Sequence, residues 1–206
     1  MPKQTAARGR PTLTEDALTE RRDEIASVAL RLFLSEGFAS VSMRRLGKEL
    51  GLTPMALYRY YPSKLDILAS LWACIIGMAF QRVADAVHEA DNPIDVLHNA
   101  SQAYVSYWTE NTDHYHLVFM NSGVTNTEVR SFVGEPSTIA HFDIFFETVA
   151  AALSADPLAP LVKITTDGLI SHLHGIMHSL ITMQGYQWTN AETLVTEAVE
   201  RVVTQT

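Results

Sequence analysis

The stretch Leu52 to Lys64, LTPMALYRYYPSK, gathers Tyr58, Tyr60, Tyr61, Arg59 and Lys64 into thirteen positions, with a proline near each end. Phenolic hydroxyls and cationic heads donate hydrogen bonds, and phosphate oxygens are acceptors that suit both. Other reactive types give less. Cys74 is the only cysteine and lies within the apolar run Ile67 to Phe80, so a buried structural thiol is expected, with no disulfide and no thiolate metal cluster. His174 and His178 stand at i, i+4, a spacing that can hold zinc. They lack the acidic partner of a zincin motif, and His172 lies about 160° round the helix from His174. The two are therefore expected to pack or to hydrogen-bond, and no metal or other cofactor is expected. There is no nucleophile elbow, no Gly-rich phosphate loop and no carboxylate pair at ligand spacing, so the chain does not read as an enzyme.

The charge distribution says where a polyanion could be held. The chain of 206 residues carries a net charge of -8. Residues 1–67 hold 11 Lys and Arg against 8 Asp and Glu, whereas residues 68–206 hold 4 against 15. Nucleic acid, if bound, meets the N-terminal third. The apolar run stops at Gln81 and Arg82, too short to cross a bilayer, and the N-terminus lacks the apolar core of a signal peptide. A cytoplasmic protein without membrane contact is the expectation.

The elements that position these groups are helices. Ile25, Val28, Ala29, Leu32 and Phe33 fall at i, i+3, i+4, i+7 and i+8, an amphipathic stripe ended by Gly37. Ser42 caps a short second helix with Leu46 and Leu50 inside and Gly51 at its end. Thr53 and Pro54 open a third helix of about two turns, which Tyr61 and Pro62 close. Ser63 to Asp66 matches a capping box and starts a long helix running to about Ala90. Because Ile67 to Phe80 is apolar all round, that helix is expected to be covered on every side. Further helices are expected at about 93–111, 113–121, 126–133, 137–155, 158–185 and 190–205. The fold class is all-α: an arm at 1–13, a three-helix domain at 14–67, and a helical domain at 68–206 reached through the long helix.

The second and third helices, joined at Gly51 and Leu52, make a helix-turn-helix. With Leu57 turned inward, Tyr61 lies about 40° away and shares the core, while Met55 and Arg59 lie about 160° away. Ala56 and Tyr58 flank the outer face and Tyr60 points to its rim. The sequence SMRRLGKELGLTPMALYRYYPSKLDIL resembles the helix-turn-helix of the TetR family of transcriptional regulators, in Ser42, Leu46, Leu50, Gly51, Leu52, Leu57, Tyr58, Tyr61, Lys64 and Leu68. The preceding ALRLFLSEGF fits as well, and the likeness covers about residues 22–70. A weaker echo is LHGIMHSL, Leu173 to Leu180, which looks like a stretch of one subgroup's C-terminal domain.

The resemblance implies base-facing places for Pro54, Met55, Ala56 and Tyr58, and phosphate-clamping ones for Tyr60 and Lys64. It implies that Arg44 reaches a base edge or its phosphate. With Ser42, Arg45, Thr53 and Arg59 these make up the expected DNA surface. Pro, Met and Ala cannot form bidentate hydrogen bonds, so readout through thymine methyls is expected, with Arg44 or Arg59 supplying any guanine preference. Arg8 and Arg10 are candidates for a minor-groove arm.

The acidic remainder is expected to sense a ligand, to dimerise, or both. The family's four-helix dimer interface implies a homodimer here, with Phe142, Phe146, Leu153, Leu173, Ile176 and Leu180 on the apolar faces that would meet. Its recognition helices would stand about 34 Å apart on a pseudo-palindromic site. For a ligand, Tyr104, Tyr107, Trp108, Tyr115, Phe119, Met120, Phe145 and Met177 are candidates, and the scarcity of cations favours an apolar or aromatic effector over an anionic one. The expected function is a repressor of transcription, bound to double-stranded DNA and released by such a small molecule. The alternative is a DNA-binding regulator or scaffold with no small-molecule effector, and a remote one is a helical enzyme.

Overall fold

The computed structural model describes residues 14–204 apart from 121–122, 126, 128–131 and 133–135. The expected arm at 1–13 and most of the helix expected at 126–133 lie outside the described residues. Those described form helices and turns without a strand, so the protein is all-α. The chain divides into two compact units, Met1–Ser70 and Leu71–Thr206, where the sequence suggested a boundary at 67/68.

In the N-terminal unit, α1 (Glu15–Glu36) starts where Thr14 Oγ1 accepts from the Ala17 amide, and it buries Ile25, Ala29, Leu32 and Phe33. Next, α2 (Met43–Leu50) is capped by Ser42 and ends at Gly51, which sits at φ 64, ψ 25. There the Leu52 amide bonds the Gly47 carbonyl at 2.8 Å, the closing bond of a Schellman turn. A Cβ at Gly47 would lie 2.6 Å from the Leu52 carbonyl oxygen, so the turn approaches α2 as closely as a glycine allows. Then α3 (Pro54–Leu57) is shorter than the two turns expected. The helix ends at Leu57, although Tyr58 keeps an α conformation and the Tyr61 amide still bonds the Leu57 carbonyl at 3.1 Å. Leu57 and Tyr61 are buried as the wheel predicts, and the Tyr61 hydroxyl donates to the Arg22 carbonyl at 3.4 Å.

The start of α4 (Lys64–Val87) is capped by Ser63, whose Oγ accepts from the Asp66 amide at 3.2 Å and donates to Asp66 Oδ2 at 2.6 Å. The 24-residue helix outruns the apolar stretch and is, by length and composition, long and apolar enough to cross a membrane. Half of its most apolar window is nevertheless buried within the protein, as in a core helix. The expectation of cover on every side is corrected: Leu71, Trp72, Ile75, Ile76, Ala79, Phe80 and Val83 are buried, but Ala73, Cys74 and Met78 are exposed. Cys74 is thus an exposed thiol, not a buried one. An apolar composition does not say which stripe a helix turns to its neighbours, and here packing uses the large side chains and leaves a stripe of mostly small ones outside.

The C-terminal unit continues with α5 (Pro93–Glu110), α6 (Thr112–Phe119), α7 (Pro136–Ala140), α8 (Asp143–Ala152), α9 (Pro160–Thr182) and α10 (Ala191–Thr204). Central α5 touches α8, α9 and α10 and buries Leu97, Ala100, Tyr104 and Trp108. The helix expected at 137–155 is broken by a turn at His141 and Phe142. On a continuous helix adjacent side chains diverge by about 100°. The turn brings both rings to Phe80, His141 stacked at 5.2 Å and Phe142 edge-on at 4.8 Å.

Candidate nucleic-acid interface

The helix-turn-helix exposes a narrow ridge. Met55 is 76% exposed and Tyr58 48%; Pro54 and Arg59 are exposed, and Ala56 and Tyr60 are less so. Leu57 fixes the rotation of α3 by inserting into the core, and this turns Met55 outward. Among the described residues, no hydrogen bond within the protein engages the hydroxyls of Tyr58 and Tyr60 or the guanidinium groups of Arg44 and Arg59. Ser42 and Thr53 are exposed, but their hydroxyls accept from the amides of Arg45 at 3.1 Å and Ala56 at 3.2 Å, so their first task is to start helices.

Two expected cations stand differently. Arg45 is tied into the scaffold: Nε and Nη2 donate to Glu36 Oε1 at 3.1 and 2.7 Å, and Nη1 to Glu49 Oε2 at 2.8 Å. Arg31 Nη2 donates to the other Glu49 oxygen at 2.7 Å. The hydrogen bond from Arg45, followed by that from Arg31, holds the Glu49 carboxyl down at about 2. In return Glu49 and then Glu36 raise the Arg45 pKa. Arg45 therefore braces α2 against the end of α1. Lys64 is half-buried, donates from Nζ to the Phe38 carbonyl at 2.6 Å, and lies 4.0 Å from the centre of the Phe38 ring. Burial pushes its pKa down. Its ammonium ties the first turn of α4 to the loop between α1 and α2.

One group escaped the sequence reading. Lys48 is exposed, stands one turn beyond Arg44 on α2, and has no ion pair among the described residues. Its i, i+4 spacing from Arg44 was the available signal.

In the C-terminal unit the candidate ligand residues separate. Tyr104, Phe145 and Met177 are buried in packing. Three tyrosines pair with histidines: Tyr104 with His174 Nε2 at 3.1 Å, Tyr107 with His114 Nδ1 at 3.0 Å, and Tyr115 with His178 Nδ1 at 3.1 Å. Burial pushes the Tyr107 hydroxyl up to about 12 and lowers His114 and His174. Trp108 lies among Tyr104, Tyr107, Tyr115 and Phe119. Phe119 and Met120 are exposed.

The dimer candidates also divide. Leu173 and Ile176 are buried within a single chain. They lie on α9, which packs against α5, α8 and α10, and the sequence pattern does not distinguish a packed side from a face awaiting a partner. Phe142, Phe146, Leu153 and Leu180 are half-buried. Exposed apolar side chains of this unit include Leu158 at 92%, Ile164 at 71% and Leu161. Leu161 and Ile164 line a groove with Gly168, His172, Ala198 and Val202.

An outward α3 set on a three-helix base, in a chain with a separate helical unit, defines an all-α helix-turn-helix protein. Residues 25–71 match the family model described as bacterial regulatory proteins, tetR family, so the N-terminal domain is similar to that family's. Among curated relatives it is 30% identical over 96 residues to the nucleoid occlusion factor SlmA of Mannheimia succiniciproducens, covering 46% of this chain and 44% of that one. The chain spans about half the length of the curated relatives it matches. Two solved structures share the fold. The regulator FadR of Bacillus subtilis, in complex with stearoyl-CoA, superposes with a TM-score of 0.70 at 16% identity, covering 88% of this chain and 97% of that one. PfmR of Thermus thermophilus, a TetR-family transcriptional regulator, gives 0.61 at 17% identity, covering 88% and 98%.

Proposed function

We propose that this protein is a homodimeric, cytoplasmic DNA-binding regulator of transcription, a repressor released from a pseudo-palindromic operator by a small, neutral, largely apolar or aromatic molecule. The observation that carries the DNA-binding part is the ridge: Leu57 and Tyr61 hold α3 from within while Met55, Tyr58 and Arg59 face outward. Pro54, Met55 and Ala56 would touch thymine methyls; Tyr58, Tyr60, Arg44, Lys48 and Arg59 would meet phosphates or base edges. Dimerisation is supported by the exposed Leu158, Leu161 and Ile164, apolar groups that gain by cover.

FadR, caught with stearoyl-CoA, supports a ligand in this fold. The charges in the present chain favour a different chemistry. Its described C-terminal cations are paired, Arg82 with Glu110 at 2.5 Å, Lys163 with Asp167 at 2.7 Å and Arg201 with Glu197 at 2.6 Å, so a polyphosphate would find little to hold it. Release would follow if the ligand favours one setting of α4 by about 1–3 kcal/mol, since that helix runs from one unit into the other. The name of the SlmA relatives, nucleoid occlusion factors, supports a second reading, a DNA-binding factor without an effector.

Selection of genomic fragments on the purified protein, followed by titration at several salt concentrations, tests the main claim. Log affinity should fall linearly with log salt, and Arg44→Ala and Lys48→Ala should each reduce the slope by about 1.8 if each residue neutralises one phosphate in each protomer of the dimer. A flat salt response sinks the DNA-binding reading. A ligand of the native state raises the melting temperature, so silence across a broad library of apolar compounds would favour the factor without an effector.

A further inference from the structure

Phe119 ends α6 and is 40% exposed, yet its ring is held among three others. The centroid distances are 4.9 Å to Trp108, 5.0 Å to Tyr115 and 5.1 Å to His174. Edge-on and tilted contacts at such distances are attractive, so a side chain at a helix end, within reach of solvent, is kept inside an aromatic box. The box also holds a spare donor. Trp108 Nε1 is buried and has no hydrogen-bond acceptor among the described residues. The Tyr104 hydroxyl, which bonds His174 Nε2 at 3.1 Å, interacts with the indole but does not meet its N–H in hydrogen-bonding geometry. The other two indoles are satisfied, Trp72 on the Leu117 carbonyl at 2.9 Å and Trp188 on the Met183 carbonyl at 3.1 Å. A buried donor left unpaired is costly, and an incoming acceptor would recover that cost.

We propose that Trp108, Tyr115 and His174 form a binding site for a neutral planar aromatic molecule carrying one hydrogen-bond acceptor, and that Phe119 is the displaceable plug of this site. The ligand's ring takes the place of the Phe119 ring, and its acceptor takes the Trp108 N–H. Desolvation pushes the pKa of half-buried His174 down, and the box contains no Lys or Arg for an anionic ligand. The inference rests on the effector reading above and gives it a site and a ligand class.

Three naphthalenes test it on the full chain by calorimetric titration: 2-acetonaphthone, with a carbonyl acceptor; 2-ethylnaphthalene, of similar shape without one; and 2-naphthoate, an anion. The ketone should bind about tenfold or more tighter than the other two. Phe119→Ala should tighten all neutral binding by about tenfold, because apparent affinity is reduced by the fraction of sites that are unplugged. Trp108→Phe should erase the preference for the ketone and leave 2-ethylnaphthalene binding in place. As a readout independent of that variant's folding, the indole N–H resonance of Trp108 in the wild-type chain should move downfield with the ketone alone. Equal affinity in wild type and Phe119→Ala, or a ketone preference without movement of that resonance, would overturn the site. Operator release is scored separately. A chain released by another compound while refusing all three naphthalenes overturns the plugged box but keeps the regulator. Ketone binding as described without operator release supports the box and counts against the effector reading.

Discussion

Lys64 separates two ways in which a cation can serve a DNA-binding domain. As a phosphate clamp it would act on DNA directly; as a staple it would act on the domain. The structure supports the staple, with Nζ 2.6 Å from the Phe38 carbonyl and 4.0 Å from its ring centre. Lys64→Met keeps the aliphatic stem and removes the ammonium. A net hydrogen bond to a charged donor contributes about 1.5–3 kcal/mol and the cation–π contact about 0.5–1 kcal/mol. Desolvation of the ammonium, visible in its lowered pKa, and loss of side-chain freedom oppose these. A net loss of about 1–2 kcal/mol is expected. For a unit of this size it corresponds to a fall of roughly 5–15 °C in melting temperature. Hydrogen exchange at the amides of 37–41, the loop whose carbonyl Lys64 holds, should accelerate by the same free energy. The slope of log affinity against log salt should stay within about 0.3 of wild type, because no phosphate contact has gone. A slope lower by about 1.8, one phosphate lost per protomer of the dimer, with unchanged melting and exchange would refute the staple and restore the clamp.

Glu49, held at about 2 against an ordinary 4.5, has a folded pKa below its unfolded one. Its contribution is therefore complete above about pH 4.5 and is lost as the pH falls through about 2. Melting of the N-terminal unit between about pH 5 and pH 2 should decline less steeply in Glu49→Gln than in wild type. Ser154 occupies φ 51, a left-handed position at the end of α8, closed by the Ala155 amide on the Ala150 carbonyl at 2.9 Å. Ser154→Gly should stabilise the C-terminal unit by about 0.5–1 kcal/mol, read by calorimetry, because glycine adopts this conformation without strain. Cys74, exposed on α4, should react fully with a disulfide reagent in the folded chain, whereas a thiol titrating only in denaturant would contradict its placement.

The sequence made legible what is encoded locally. Ser42, Thr53 and Ser63 sit where caps were read, and Gly51 takes the positive φ that a helix end needs. Leu57 and Tyr61 fall on the buried side that a 3.6-residue period assigns. Choices made by distant partners stayed hidden. Arg45 and Arg44 are adjacent and chemically alike; Glu49 one turn on and Glu36 at the end of α1 engage Arg45, and the part played by Glu36 depends on how α1 packs. The turn at His141 and Phe142 answers to Phe80, far earlier in the chain, and carries no glycine or proline to announce it. Cys74 was misread because helical periodicity weighs apolar character, whereas the packed stripe of α4 was decided by side-chain size.

The brevity of α3 makes this division of labour necessary. Its single helical turn cannot sustain itself in water, where even about twelve to fifteen residues are marginal, so the ridge is only as ordered as its anchors. Those anchors are Thr53 at its start, Leu57 and Tyr61 beneath it, the Gly47 carbonyl behind the turn, and Lys64 just past its end. Each has a partner inside the protein, and each lies off the outward face. Met55, Tyr58 and Arg59 have outer ends without such partners among the described residues, and each can change without removing an anchor. The three tyrosines of the stretch thus differ in kind: Tyr61 belongs to the scaffold, while Tyr58 and Tyr60 keep hydroxyls that nothing described within the chain engages. Substitutions at Pro54, Met55 and Ala56 should accordingly retune base preference at nearly constant stability. Substitutions at Leu57, Tyr61 or Lys64 should lower affinity for every sequence alike, because they disorder the whole ridge.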